Sequence, residues 1–555
     1  MLKLNTNQKT LKMIEFIFVG IFIIFGIWAC IGIGITMDED SELNTLQMNL
    51  KAAYGLLQGS TDEYQALINY RDRYYGVGFH IVSGGFSFIL SHILPNLSGL
   101  DDRGWRLVLT HVPIFLSFVA SGSLLRFLLL RFTQSQLTAL LGMLAFLLWP
   151  YLLGHSLMNV KDIPFLFVWL LCTIECIGVL DLLGSSTSKY PKRLIYKIML
   201  LGVLTAWLLA IRVSGILIFI EFGFLFLSRK FFGYPKFLFS NIKILILIFI
   251  FSAIFLISLI FFNPIYWHNP TEFFNAIRFM SHHSWDGNTL TAGRLVDPKT
   301  QLYFYVSNWF LVKTPFVILL GIMLIPVLFW KKIFQNKKIL GEQKKIILLD
   351  HQADFIGLIA STGCIILLLM AIRVGIYNEL RHLLFLFPFA YLIGVSTLYY
   401  FNKKLVNLLL LLSIGLFIFD DIRLYPYQYT YLNEVSRQFN VAEKYEKDYF
   451  GVSALRSAQW LNGASLDLPR KICIYADPVH LWEHAINKDK YQCIKNYSTI
   501  SDEKNLFLFY WITRNDFGRL LLPSCRLIHA EKKLLPFSNA ELIMGQLYVC
   551  DPKVK

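Results

Sequence analysis

The sequence predicts a polytopic α-helical membrane protein that ends in a small α/β domain. Three observations predict it. Of 555 residues, 55% are hydrophobic, 16% aromatic and only 16% charged, with a mean hydropathy of +0.53; a water-soluble core has no use for such an excess. Apolar stretches of about 20 residues, each long enough to cross about 30 Å of hydrocarbon, recur through the first three quarters of the chain. Lys and Arg gather in short clusters between those stretches, so the net charge of +15 reads as a topological signal and no nucleic-acid partner is expected.

The elements follow in order. About eleven spans are expected, near residues 13–35, 106–130, 136–153, 163–183, 194–211, 213–228, 242–262, 309–330, 353–373, 383–400 and 405–420. The basic clusters at Lys9 and Lys12, Lys189 to Lys197, Arg229 to Lys243, Lys331 to Lys345 and Lys403 with Lys404 alternate consistently if each is cytoplasmic. That places the N-terminus in the cytoplasm and the C-terminus outside. Nothing like A-x-A follows the first apolar core, so that span is expected to be retained.

Residues 1–424 therefore form a membrane domain with long outward loops, 37–105 and 263–308. Within the first loop, LQMNLKAAYGLL and FHIVSGGFSFILSHIL combine helical apolar spacing with Ser, His and Gly. That suits helices lying in the interface, roofing a cavity against the bilayer. Residues 425–555 change character: KICIYA, NLFLFYWI and QLYVC read as strands behind a helix-like DYFGVSALRSAQWLN, giving the small α/β domain.

Four of the eight cysteines, Cys473, Cys493, Cys525 and Cys550, lie in this tail, where an external location permits disulfides. Four cysteines allow three pairings; Cys473 with Cys493 and Cys525 with Cys550 are the first choice, four free thiols the alternative. No C-x-x-C pair suggests a zinc ribbon.

Chemistry is expected where ITMDEDSEL follows the first span, because Asp38, Glu39, Asp40 and Glu42 crowd the point where a greasy helix surfaces. A carboxylate facing a cavity walled by apolar helices is partly desolvated and gains the basicity a general base needs. The bland reading is that acids mark the water boundary. The spacing Asp38-x-Asp40 also admits a divalent metal; no other cofactor is expected. Cations emerge on the same predicted side: Lys161 in NVKDIPF, Arg212 in AIRVSG, Lys313 in VKTP, and Arg381 with His382 in NELRHLLF. Singly each is an anchor; converging, they would neutralise a phosphate. A base opposite such cations suits a transferase whose leaving group is a lipid-linked phosphate.

In MDED, NVKDIPF, AIRVSG, HHSWDGNTL followed by VKTP, RHLLFLFPF, YPYQYTYLNEV and DYFGVS, in that order, the chain resembles the polyprenyl-phosphate-dependent glycosyltransferases of the GT-C superfamily, the group that includes protein O-mannosyltransferases and lipid A aminoarabinose transferases. The resemblance implies that Asp38 is the catalytic base with Glu39 beside it, and that Arg212 lies near the lipid phosphate. It also implies a donor of one sugar on a polyprenyl monophosphate, transferred with inversion to a protein or glycolipid acceptor. The mannosyltransferases carry an H-P-P-x-G-K element in the first loop; here the nearest segment is YYGVGFH, and Lys161 is the candidate substitute for its lysine.

The loop SHHSWDGNTL is expected to contact sugar or acceptor, with Trp285 as an apolar platform and His282, His283 and Asp286 bonding hydroxyls. Asp162 and Tyr377 join that set. The competing class is a transporter or lipid flippase, which also needs many spans and intramembrane charge; acids and cations crowded at one face, with no repeated halves, favour the transferase.

Overall fold

The computed structural model describes residues 6–552 except 186–191, 233–240, 282–286, 329–349, 440, 467–471, 477–478, 492, 497, 499, 501–502, 504 and 513–524. Within them, eight helices are long and apolar enough to cross a membrane, and up to ten spans are counted if two bent helix pairs are each one. The segments Asp162–Gly184 and Arg381–Phe401 are 72% and 83% buried, whereas Ile244–Phe262 is 11% buried. The first two are therefore the centre of the bundle and the last faces lipid.

Two expected straight spans are broken, both for the same reason. Residues 136–153 divide into Gln136–Leu147 and Pro150–Ser156, bent by 61°, and residues 309–330 into Leu302–Lys313 and Phe316–Leu328, bent by 119°. Trp149 and Thr314, at the breaks, are extended (ψ 111° and 128°) because each precedes a proline, whose ring excludes the helical region for its predecessor. The segment expected as a span over 213–228 is a 3-10 turn, Val213–Leu217, followed by a 15-residue helix, Ile218–Phe232.

The first outward loop carries the helices Glu39–Leu57, Asp62–Asn69 and His80–Ile93. The last is inverted relative to a soluble amphipathic helix. His80, Ser83 and Ser87 face inward while Ile81, Val82, Phe88, Ile89 and Ile93 are exposed, as befits a helix lying along a leaflet. The second outward loop holds a hairpin, β1 (Thr289–Thr291) and β2 (Arg294–Val296). Its turn residues Ala292 and Gly293 both have positive φ, the combination a two-residue turn needs to follow strand twist. Gly293 N–H donates to the Lys444 carbonyl at 2.8 Å, tying the hairpin to the segment after the last span.

The tail forms a five-stranded mixed sheet in the order β4-β3-β5-β7-β6, with β3 Cys473–Ala476, β4 Cys493–Asn496, β5 Phe507–Ile512, β6 Cys525–Leu534 and β7 Glu541–Cys550. The strands β3, β4 and β5 are parallel; β5, β7 and β6 are antiparallel. Disulfides join Cys473 to Cys493 and Cys525 to Cys550. Register puts Cys493, Cys473, Phe507, Cys550 and Cys525 in one row across the sheet, so the two bridges cross-link both of its edges.

Sheet and bundle meet through DYFGVS. Asp448, wholly buried, accepts the N–H groups of Val452 and Ser453 at 2.9 Å each and the hydroxyl of Tyr429. Ser453 Oγ lies 2.6 Å from the Tyr510 hydroxyl on β5.

Candidate active site

The first span ends at Ile33, and Gly34 (φ +86°) turns the chain beneath Leu455, where a Cβ would meet the leucine at 2.4 Å; only glycine fits. Met37 N–H then donates to the Phe450 carbonyl at 2.9 Å. Asp38 immediately precedes the helix Glu39–Leu57. Its carboxylate pairs with Arg381 and remains 37% exposed, in a cavity of about 230 Å³.

Three ion pairs converge on that cavity. Arg381 pairs with Asp38; Lys161 Nζ lies 2.6 Å from Glu42 Oε2; Arg212 Nη2 lies 2.6 Å from Asp162 Oδ1. All six residues line the space, with Tyr377 and His382. Lys161 Nζ also sits 4.4 Å from the centre of the Tyr75 ring, and Arg381 5.4 Å from that of Tyr377, whose ring meets His382 edge-on. Leu217, Leu369, Ile376 and Leu383 supply apolar wall.

Local structure fixes these groups. Asn159 accepts the Asp162 N–H and donates to its carboxylate, both at 2.9 Å. Its amide also contacts His155 Nδ1 at 3.0 Å, and His155 Nε2 lies 3.1 Å from the Tyr449 hydroxyl. A polar chain thus runs from DYFGVS through His155, Asn159 and Asp162 to Arg212. On the other wall, Asn378 and Glu379 carry φ of +54° and +61°, two successive left-handed residues that cost energy without glycine. Tyr305 donates to the Glu379 carbonyl at 3.1 Å and Leu380 N–H to the Tyr151 hydroxyl at 3.3 Å. This turn presents Tyr377, Arg381 and His382 together.

Burial sets the electrostatics. It pushes the Glu42 carboxyl up, against the opposing pull of Lys161, and pushes the Lys161 ammonium down, against Glu42. Burial thus opposes the charged form of each partner, and the attraction between them offsets it. His80, 3.3 Å from Glu42, is driven well down by burial and by the positive charges of Lys161 and Arg212, and stays neutral.

Several expected site residues stand elsewhere. Glu39 turns inward, accepting from Thr36 N–H and Oγ1 at 3.0 and 2.6 Å and facing His111 Nε2 at 2.9 Å. It fixes the start of its helix instead of standing beside Asp38 in the cavity. Lys313 is fully buried, 2.8 Å from Glu379 and 2.9 Å from the Tyr429 carbonyl; the break at Pro315 ends its helix under the 378–382 turn, away from the cavity lining. Glu379 itself is pushed up to about 8 by burial, with Lys313 opposing. The Asp38/Asp40 pair does not fit a metal: Asp38 is taken by Arg381 and Asp40 by Arg103. Among the described residues no group of three or more His, Cys, Asp or Glu could hold one. His282, His283, Trp285 and Asp286 lie outside the described residues.

Sequence reasoning counted Glu42 among the crowded carboxylates but gave it no role of its own, and it did not single out Tyr75. Glu42 follows Asp38 by one helical turn, a spacing that puts both on one face, and that signal was present in the sequence. Tyr75 reaches the cavity through loop packing, which left no local pattern, and His80 stands behind Glu42 without lining the cavity.

No family model matches the chain, and no curated protein matches it. Among solved structures the chain is similar to ArnT from Cupriavidus metallidurans bound to undecaprenyl phosphate, with 10% identity, a TM-score of 0.46 and coverage of 97% of this chain and 98% of that one. The apo state of the same protein gives 11% identity, a TM-score of 0.38 and the same coverage. The Archaeoglobus fulgidus oligosaccharyltransferase in complex with Zn and sulfate gives 11% identity and a TM-score of 0.34, covering 79% of this chain and 59% of that one.

Proposed function

We propose that this chain is an inverting membrane glycosyltransferase of GT-C type. It moves one sugar from a polyprenyl-phosphate donor to an acceptor hydroxyl at the outer face of a bacterial inner membrane, with the α/β tail periplasmic. The observation that carries the reading is the cavity: an accessible carboxylate, Asp38, paired with Arg381 and sharing one space with Lys161 and Arg212 at one end of an apolar bundle. A phosphate needs cations, a hydroxyl nucleophile needs a base, and an oily carrier needs apolar wall; the cavity supplies each.

In this mechanism the donor phosphate rests on the cations and the sugar C1 faces Asp38. The acceptor hydroxyl attacks C1 from the side opposite the phosphate while Asp38 takes its proton. The C1–O bond breaks and its electron pair leaves on the phosphate, whose charge the cations stabilise. Attack opposite the leaving group inverts C1. Protein or glycolipid hydroxyls are the acceptor classes. Charges gathered at one end of the bundle suit a surface reaction better than transport through the midplane, where transporters hold their sites.

The test is transfer of labelled sugar from a polyprenyl-phosphate donor by purified protein. Wild type is expected to turn over and Asp38→Asn to lose about 10²–10⁴-fold. Equal rates in both would remove Asp38 as base, and no turnover with any such donor would remove the reading.

A further inference from the structure

Among the described residues lining the cavity, Lys161, Arg212 and Arg381 are each paired with a carboxylate that also lines it. A phosphate therefore has to displace a resident anion. The three carboxylates are not equally easy to move. Asp162 is 3% exposed and is held by Asn159 at two points; Glu42 is 10% exposed and packed against His80; Asp38 is 37% exposed. Separating a solvent-exposed pair costs far less than separating a buried one, because water can hydrate the released charge.

Resting on the proposed transferase reading, we propose that the donor phosphate takes Arg381 from Asp38, and that this exchange turns Asp38 into an effective base. A carboxylate held against a guanidinium is a poor proton acceptor; released beside a phosphate anion it becomes a better one. Arg381 is thus a switch as well as a phosphate ligand. Glu42 and Lys161 also interact electrostatically with Asp38, with opposite signs. Tyr377, Asp162 and Tyr449 face Arg381 itself. Binding order follows. Until the carrier phosphate is seated, no acceptor hydroxyl or water meets an active base, so the cavity does not deprotonate nucleophiles idly. In the step that follows, the hydroxyl proton passes to Asp38, the hydroxyl oxygen bonds to C1, and the C1–O pair leaves on the phosphate held by Arg381.

The test reads protons, independently of turnover. Farnesyl phosphate is titrated into the full-length protein near pH 6 in buffers of different ionisation enthalpy, which gives the protons taken up per ligand bound. Asp38→Asn serves as the reference for protons bound by the ligand itself. Wild type is expected to take up a measurable fraction of a proton more than Asp38→Asn. The conservative variant Arg381→Lys, which keeps the charge but not the planar fork, is expected to shrink that difference. In the transfer assay, the acid limb of kcat should stand at higher pH than that of kcat/KM, since the first reports the complex and the second the free enzyme. Tight binding with identical proton uptake in wild type and Asp38→Asn would overturn the exchange and leave the transferase reading standing. Failure of farnesyl phosphate to bind folded wild type would overturn both.

Discussion

The two ends of the bundle use the same kinds of charge in different ways. At the cavity, three separate pairs each place a carboxylate against open space. About 30 Å away along the helix His111–Thr133, Arg131, Arg229, Asp181 and Asp354 form one network. Arg229 Nε lies 2.6 Å from Asp354, Arg131 Nη2 2.9 Å from both acids, and Arg229 Nη2 2.6 Å from Asp181. Asp354 is completely buried and meets both arginines. The network joins four helices, 111–133, 162–185, 218–232 and 350–371. One end has partners that a ligand can replace; the other has partners that nothing replaces. Charge in an apolar bundle thus serves as a lock where arginines and acids share partners in a network, and as a site where single pairs line a cavity.

This contrast can be broken experimentally. The largest expected effect is at Asp38: Asp38→Asn should lose about 10²–10⁴-fold in transfer rate with an unchanged melting temperature. Asp354→Ala should do the reverse. Leaving the buried Arg229 and the partly buried Arg131 short of a partner should cost about 3–5 kcal/mol of stability, read by thermal unfolding in detergent, while molecules still folded transfer at the wild-type rate. A comparable loss of turnover per folded molecule in Asp354→Ala would erase the distinction.

Lys313 stands between the extremes. Because Glu379 titrates near 8, it can go neutral when its partner is lost, so Lys313→Met should cost only about 1–3 kcal/mol. The pH dependence has a definite sign. From the ordinary value of 4.5 up to about 8 the folded protein holds the Glu379 proton that the unfolded chain has released, so this group's contribution to stability falls as pH rises through that window. Removing Lys313 withdraws the opposing charge and should steepen that fall, measured as melting temperature against pH. A flatter profile in Lys313→Met would contradict the pairing.

The smallest effect concerns the latch between tail and first loop. His484 Nδ1 lies 2.8 Å from Asp101. Burial raises the Asp101 carboxyl, but bonds from His484 and the Gly104 N–H outweigh it and hold the carboxyl below its usual range. Its contribution is present above about pH 4 and is lost as pH falls through its lowered value. With Asp101 40% exposed, His484→Ala should cost no more than about 1 kcal/mol, seen as a slightly earlier acid unfolding of the tail.

The sequence grouped the charges at one face of the bundle but did not show which way each points. Asp38, Lys161, Arg212, Arg381 and His382 were all expected at one face, and all line one cavity. Lys313 emerges at the same face yet turns under the Asn378–Glu379 turn, because its partner, Glu379, is fixed by backbone strain that no pattern announces. Arg229 was read as a topological marker; its burial beside Asp354 depends on helix packing. The broken spans were legible in Trp149-Pro150 and Thr314-Pro315, since proline restricts its predecessor wherever it occurs. In the tail, β3, β5 and β7 were read from their apolar runs. The outer strands β4 and β6, whose residues are half exposed and charged, gave no such run.

The inverted helix His80–Ile93 links the cavity wall to a surface suited to lipid, through His80 against Glu42. Among the described residues its apolar side is exposed, while its first residue leans on Glu42, so a leaflet under this helix would bear on the Glu42–Lys161 wall. Stripping lipid away removes support from the Glu42–Lys161 wall without touching a covalent bond. Activity in lipid nanodiscs and in detergent is accordingly a comparison between two differently built sites.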